Sequence, residues 1–212
     1  LTESAAAVLE ANRRREADEK AWTAARQHWL ILAKSVRAPE DLIRQVAEMP
    51  LTERAVEGAK AVYRTAADQA VREARQGEHW VQVGRLRSIE ATALYEDIGR
   101  PVPPPEDILA VYREAKAAVL HSLAAHSPVA ELAGSSCCKA CRTDDGELCT
   151  ISHELRKPRL PHPDCPRGLC ECDWFVAVPD PKGTKKRRRK KPATTTPAPA
   201  AADGDAAAVE GE

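Results

Sequence analysis

The residues best suited to chemistry are the cysteines, and all seven of them fall between positions 137 and 172. A disulfide framework that stabilised the whole chain would spread its cysteines more widely, yet the first 136 residues contain none. Seven is also an odd number, which leaves one cysteine over after three disulfide bridges. Because such crowding is typical of metal-binding segments, we expect residues 137–174 to fold around a metal ion.

The spacing of these cysteines favours one zinc ion in a structural role. Cys138 and Cys141 enclose two residues, and the acidic-glycine turn after them predicts a knuckle that reverses into a hairpin. Zinc takes four sulfur or nitrogen ligands in a tetrahedron, usually supplied as two local groups, so we predict four first-choice ligands and two alternates. The first-choice ligands are Cys138, Cys141, Cys165 and Cys170, the alternates are Cys172 and His162, and Cys137 and Cys149 are surplus thiols. We expect Trp174 and Phe175 to form the small core of this module.

Three other uses of the same residue types fit the sequence less well. An iron–sulfur cluster uses the same thiolates, but its tight runs of four cysteines are absent. A redox-active pair at Cys138 and Cys141 would need the strand and helix of a thioredoxin-like fold, which the preceding residues do not predict. A deaminase zinc site needs His-x-Glu, whereas His153 is followed directly by Glu154. Since phosphate-binding loops, nucleophile elbows and zinc-protease helices are also absent from the sequence, we expect no enzyme.

The cysteine segment resembles the C-terminal zinc knuckle of phage head-morphogenesis (minor head) proteins. In that family, a Cys-x-x-Cys is followed by His-Pro-x-Cys-x-Cys. The matching positions are Cys138, Cys141, His162, Pro163 and Cys165, with Cys170-Glu171-Cys172 matching the end of the motif if residues 166–169 are an insertion. The resemblance covers residues 138–172 of a 212-residue chain. It implies a metal-bound hairpin and a role in head assembly.

The rest of the chain predicts helices and a tail. Apolar residues recur at steps of three and four from Trp22 to Val36, which is typical of one helix face. Capping residues and prolines predict four more helices. The second helix is predicted between Pro39 and Pro50, and the third between Thr52, its N-cap, and Gly77. The fourth runs from about Glu78 to Ile98, and the fifth begins at Pro105. The predicted fold class is mostly α: an alanine-rich helical bundle or hairpin stack (1–133), a zinc-knuckle module (134–178) and a disordered tail (179–212).

The tail contains a strongly basic run. Basic and acidic residues balance at 32 each, so the distribution of charge is more informative than the net charge of zero. Residues 182–191 carry eight lysine and arginine side chains in ten positions. Such a run attracts phosphate backbones without sequence preference, which predicts nucleic-acid contact as an alternative role. The candidate contacts are Lys185, Lys186, Arg187, Arg188, Arg189, Lys190 and Lys191.

These features predict a non-enzymatic interaction or scaffold protein, whose helical part docks a protein partner beside a structural zinc knuckle. One alternative is a nucleic-acid-associated protein that uses the zinc module and the basic run, and the other is a phage head-assembly component. No apolar run approaches the ~18 residues of a membrane span. The first residues lack the order of a secretory signal and start without Met, so we expect a cytoplasmic chain that is processed or a fragment. We expect neither a membrane partner nor a small-molecule substrate.

Overall fold

The structure is a computed structural model that describes residues 2–135, 138–162 and 165–177, with side chains from residue 6 onward. The described residues form seven α-helices and three β-strands, which belong to one compact unit. In chain order these are α1 (Thr2–Ser35), α2 (Glu40–Glu48), α3 (Glu53–Gln76), α4 (Trp80–Asp97), α5 (Glu106–Ala124), β1 (Val129–Ala133), α6 (Lys139–Asp144), β2 (Glu147–Thr150), α7 (Ile151–Arg156) and β3 (Asp173–Val176). The mostly α fold class is confirmed. The predicted disordered tail (179–212) lies outside the described residues.

Helices α1 to α5, which we call the helical part, pack around alanines and a few aromatic rings. α3 contacts α1, α2 and α4, and α4 packs along α5. Fully buried alanines such as Ala33 and Ala59 let helix backbones approach closely, and large rings fill the remaining space. Trp29 of α1 and Tyr63 of α3 are both buried, with ring centroids 5.5 Å apart. The largest side chains of this core are therefore its four aromatic residues.

A partly buried group of charges joins three of these helices. Arg87 of α4 bonds Asp68 of α3 at 2.8 Å and Glu90 of its own helix at 2.5 Å. Its Nε also lies 3.0 Å from a carboxylate oxygen of Glu114 in α5. Glu90 is 2% exposed, and a buried carboxylate of this kind needs such a partner to offset its lost hydration. The guanidinium thus links α3, α4 and α5.

The predicted helix limits agree with the structure, with one difference in how a limit is formed. α2 begins after Pro39, α5 begins after Pro105, and Gly77 is the C-cap of α3. Thr52 occupies the N-cap position of α3, but its side chain makes no capping hydrogen bond. Its hydroxyl instead donates to the carbonyl oxygen of Pro50 at 3.4 Å. The extended backbone after Pro50, rather than a side-chain cap, sets the start of α3.

Beyond α5, a three-stranded antiparallel sheet with the order β2-β1-β3 supports the cysteine segment. The sequence predicted a hairpin here but not the central strand β1 (Val129–Ala133), which lies within the predicted helical domain of residues 1–133. Trp174 of β3 is buried as predicted, at 3% exposure. The prediction that Phe175 joins this core is wrong, since its side chain is 56% exposed. Consecutive strand residues point to opposite faces, so only one of the two can point inward.

The sheet and the cysteine segment, which together we call the cysteine module (residues 129–177), pack against α5. Leu120 of α5 shares a buried cluster with Leu132 of β1 and Trp174 of β3. The ammonium group of Lys116, which is buried, lies 3.5 Å from a carboxylate oxygen of the more exposed Asp173. α5 is therefore the element that both cores share.

Among the described residues, no helix combines the length and the apolar character needed to cross a lipid bilayer.

Candidate metal centre

Six candidate ligands come from the start of α6 and from the loop between α7 and β3. α6 begins after Cys138 and carries Cys141 in its first turn. Gly146 then adopts a φ of +75°, which suits glycine, and its N–H donates to the Leu132 carbonyl oxygen at 2.8 Å. This turn brings the chain back beside β1. The α7–β3 loop supplies the other four candidates, which are His162, Cys165, Cys170 and Cys172.

Four buried side chains form what we call the four-ligand set: Cys141, His162, Cys170 and Cys172. Cys141 Sγ lies 3.2 Å from His162 Nδ1 and 3.5 Å from Cys170 Sγ. His162 Nδ1 lies 3.5 Å from the same Cys170 sulfur, and the four ligand atoms all lie within 4.8 Å of one another. A tetrahedral zinc ion with Zn–N and Zn–S bonds of ~2.0–2.3 Å separates its ligand atoms by ~3.3–3.8 Å. The spacing and the residue types therefore fit a metal ion.

The ring of His162 is oriented by a carboxylate on its other side. His162 Nε2 lies 3.1 Å from Asp144 Oδ2, at the end of α6, while Nδ1 points to the sulfur atoms. Histidines that bind metals usually donate their second ring N–H to a carboxylate or carbonyl group. Such a bond fixes the tautomer with a bare Nδ1, which is the form that can bind a cation. Asp144 thus prepares His162 for a ligand role.

Backbone groups between β1 and α6 close around the same site. The Ser135 N–H donates to Cys172 Sγ at 3.2 Å. Burial raises the pKa of the Cys172 thiol above its usual value, and the Ser135 N–H partly opposes that effect. Gly134 lies so close to α6 that a Cβ there would be 2.0 Å from the Cys141 carbonyl oxygen. Only glycine allows this close approach, so Gly134 belongs to the architecture of the site.

A second group shares one member with the first. Cys138, Cys141 and Cys165, which we call the three-ligand set, have sulfur atoms that all lie within 4.8 Å of one another. Cys138 Sγ lies 3.1 Å from Cys141 Sγ and accepts the Cys141 N–H at 3.3 Å. Cys165 is fully buried, and Cys138 is partly exposed. Cys141 therefore lies at the junction of two groups of potential ligands.

The structure divides the predicted ligands between these two sets. Three of the first-choice ligands form the three-ligand set, and the fourth, Cys170, lies in the four-ligand set with both alternates. Cys149 lies in β2 opposite Ala130, outside both sets, and burial raises the pKa of its thiol. Cys137 and the candidate nucleic-acid contacts at 185–191 lie outside the described residues.

The sequence did not identify the residues that support the ligands. Asp144 looked like a turn residue, although a carboxylate three positions after a Cys-x-x-Cys is a reasonable candidate partner for a metal-binding histidine. Tyr112 of α5 donates its hydroxyl to the Cys170 carbonyl oxygen at 2.8 Å. No sequence signal points to that contact, since the two residues are 58 positions apart.

The chain matches no protein-family model, no curated protein and no solved structure in the comparisons made. The resemblance to phage head-morphogenesis proteins therefore stays a prediction. What the described residues establish is a buried cysteine and histidine cluster that could hold a metal ion.

Proposed function

We propose that this chain is a non-enzymatic interaction or scaffold protein in which a structural zinc ion holds the cysteine module together beside the helical part. The observation that supports it is the buried four-ligand set of Cys141, His162, Cys170 and Cys172. Its histidine is already oriented by Asp144. Three thiolates and one imidazole are a donor set that suits zinc. The prediction of zinc from the sequence rests on the same preference of zinc for thiolate and imidazole ligands.

The closed, buried character of the set favours a structural role over a catalytic one. A catalytic zinc ion usually has three protein ligands and keeps a fourth position for water or substrate. Here four protein ligands are available, and each of them is at most 6% exposed. The cysteine module is also small, and modules of this size commonly depend on a metal for folding.

Metal analysis of the purified full chain tests this proposal. Elemental mass spectrometry should find at least one zinc ion per chain, and thiol titration should find cysteines that react only after a chelator is added. Cys172→Ser should lose zinc, whereas the matched variant Cys149→Ser should keep the wild-type content because Cys149 lies outside both sets. A chain without metal, whose thiols are oxidised in pairs, would contradict the proposal.

The interaction role rests on the helical part and can be tested separately. We expect the protein partner to bind without the residues that follow the cysteine module. Partner binding by the full chain and by a chain that ends at residue 179 should then be equal in a co-purification assay. If the shortened chain lost its partner, the interaction surface would belong to the tail instead.

A second candidate function is nucleic-acid association, and the basic run at 182–191 favours it. We expect the full chain to bind duplex DNA or RNA without sequence preference, with an affinity that falls steeply as the salt concentration rises. Fluorescence anisotropy at several salt concentrations measures this. Deletion of residues 180–212 should abolish the binding, and a shortened chain that still bound nucleic acid would exclude the basic run as its cause.

A third candidate, phage head assembly, rests on the resemblance of the cysteine segment. Cys138, Cys141, His162 and Cys165 match that family's motif, and in the structure each of them belongs to at least one of the two sets. A gene position among capsid and portal genes would support the proposal. A position among unrelated genes would count against it.

A further inference from the structure

We propose that the cysteine module holds two metal ions, with the thiolate of Cys141 bridging them. This inference rests on the proposed structural metal role and extends it from one ion to a two-ion cluster. The four-ligand set would hold the first ion, and the three-ligand set would hold the second. Cys141 is the residue that belongs to both sets.

The number of ligand atoms is the first argument. Six candidate ligands converge in the cysteine module, whereas a tetrahedral zinc ion accepts four. When the four-ligand set is filled, Cys138 and Cys165 remain outside the coordination sphere of that ion. Both of them lie within 4.8 Å of Cys141 Sγ, and Cys138 Sγ is as close as 3.1 Å. The remaining sulfur atoms are therefore placed where a second ion could share the Cys141 thiolate.

The local backbone holds Cys165 at this place. The Cys165 N–H donates to the His162 carbonyl oxygen at 3.3 Å, and the Gly168 N–H donates to the Cys165 carbonyl oxygen at 2.8 Å. Gly168 adopts a φ of +77°, and a Cβ there would lie 1.7 Å from the hydroxyl oxygen of Tyr95. These turns pack against Tyr95 of α4, so the fold determines the position of Cys165.

Charge balance is the second argument. Five thiolates and one neutral imidazole around a single divalent ion would leave a net charge of −3 in a buried site. Burying uncompensated charge is costly, so one divalent ion does not balance six ligands of these types. Two divalent ions reduce the net charge of the same six ligands to −1. That is also the net charge of one zinc ion with three thiolates and one imidazole.

The two ions would differ in how readily they exchange. The first ion has four buried protein ligands, whereas the described residues offer three for the second. Cys138, on the outer side of the three-ligand set, is partly exposed. Water can therefore complete the coordination sphere of the second ion. A mild chelator should therefore remove the second ion before the module unfolds and the first ion only when it unfolds.

Native mass spectrometry of the full, zinc-loaded chain counts the ions directly. We expect two zinc ions per chain, released in two separate steps as a chelator is added. A single ion would overturn the two-ion cluster but leave the proposed structural site intact. A metal-free chain would overturn both proposals, so the two failures are distinguishable.

Cadmium substitution tests the bridge without any variant. In the 113Cd-loaded chain we expect two resonances in the thiolate-rich range, split by scalar coupling through the shared Cys141 sulfur. Two resonances without coupling would overturn the bridging role of Cys141.

A pair of variants locates the second ion. Cys165→Ser should hold one zinc ion instead of two, and the matched variant Cys149→Ser should hold two. If Cys165→Ser kept both ions, the second ion would lie elsewhere and the assignment would be wrong.

Discussion

The helical part and the cysteine module have interiors of different chemistry. The largest buried cluster of the helical part has sixteen residues, of which seven are alanines and four are aromatic. The buried cluster of the cysteine module has ten residues, and four of them are cysteines that also belong to the candidate metal centre. In the first region stability comes from apolar area removed from water. In the second region much of the interior consists of candidate metal ligands, so under the proposed function its stability depends on the ion that those ligands bind.

This difference has consequences for how each region responds to damage. Apolar burial is spread over many residues, so one substitution removes a limited part of the stabilisation. In the proposed metal centre the stabilisation is concentrated in a few ligands, so the loss of one ligand would remove a large part of it at once. The two regions meet at α5, where Leu120 packs in the module and Ala115 packs in the helical core. Variants in each region therefore measure how far the two regions are independent.

The largest effect is expected from removing a ligand of the four-ligand set. Cys170→Ser should unfold the cysteine module, since a structural zinc ion contributes on the order of 10 kcal/mol to the folding of a small module. Hydrogen–deuterium exchange should show lost protection over 129–135 and 173–177 and retained protection in α1 to α3. Cys149→Ser is the matched control and should exchange like the wild type. Equal loss of protection in α1 to α3 would mean that the two regions fold as one.

The next largest effect is expected from the main aromatic residue of the helical core. Trp29 is 1% exposed, packs on Tyr63 and has its indole N–H 3.4 Å from Asp97 Oδ1. Trp29→Ala should lower the free energy of unfolding by about 4 kcal/mol through the cavity it leaves. Trp22→Ala, at a partly buried position of the same helix, should cost clearly less. Denaturant titration measures both, and the zinc content of both variants should equal that of the wild type.

The helical part could be predicted from the sequence because its signals are local. Proline restricts the backbone at a single position, and α2 and α5 begin directly after Pro39 and Pro105. Glycine frees the backbone at a single position, and α3 ends at its C-cap, Gly77. The periodicity of apolar residues along α1 also needs no knowledge of distant residues. Thr52 shows where this reasoning ends, since its N-cap position was correct but its hydroxyl bonds Pro50 instead of capping the helix.

The candidate site could be predicted only in part, because its arrangement depends on the path of the chain. The number and spacing of the cysteines indicated a metal site. The division of the ligands into two sets, however, depends on the path of the chain through β2 and α7, from Gly146 to His162. β1 was missed because a five-residue strand with two alanines gives a weak signal. The inward and outward directions of Trp174 and Phe175 follow from strand pairing, which short apolar runs do not reveal.

A smaller effect is expected where a carboxylate supports a ligand without binding the metal. Asp144→Ala should lower metal affinity by about 10- to 100-fold, because His162 loses the partner that fixes its ring. Glu171→Ala is the matched control, since it also removes a carboxylate next to ligands but at an exposed position bonded to Arg167. Competition with a chromophoric chelator measures both affinities. Equal losses in the two variants would indicate a general charge effect and no specific role for Asp144.

The smallest effect is expected from two buried tyrosines in different places. Tyr112 lies at the junction between the helical part and the cysteine module, and Tyr63 lies inside the helical part. Tyr112 donates to the Cys170 carbonyl oxygen, whereas the Tyr63 hydroxyl has no hydrogen-bond partner among the described residues. Tyr112→Phe should cost about 1–2 kcal/mol, because it leaves a buried carbonyl without that bond, and should speed metal transfer to a chelator. Tyr63→Phe should be neutral or slightly stabilising, because it removes a buried group that is not satisfied, and should leave the transfer rate unchanged. Equal transfer rates in the two variants would show that α5 supports the cysteine module by packing alone, without a contribution from this hydrogen bond.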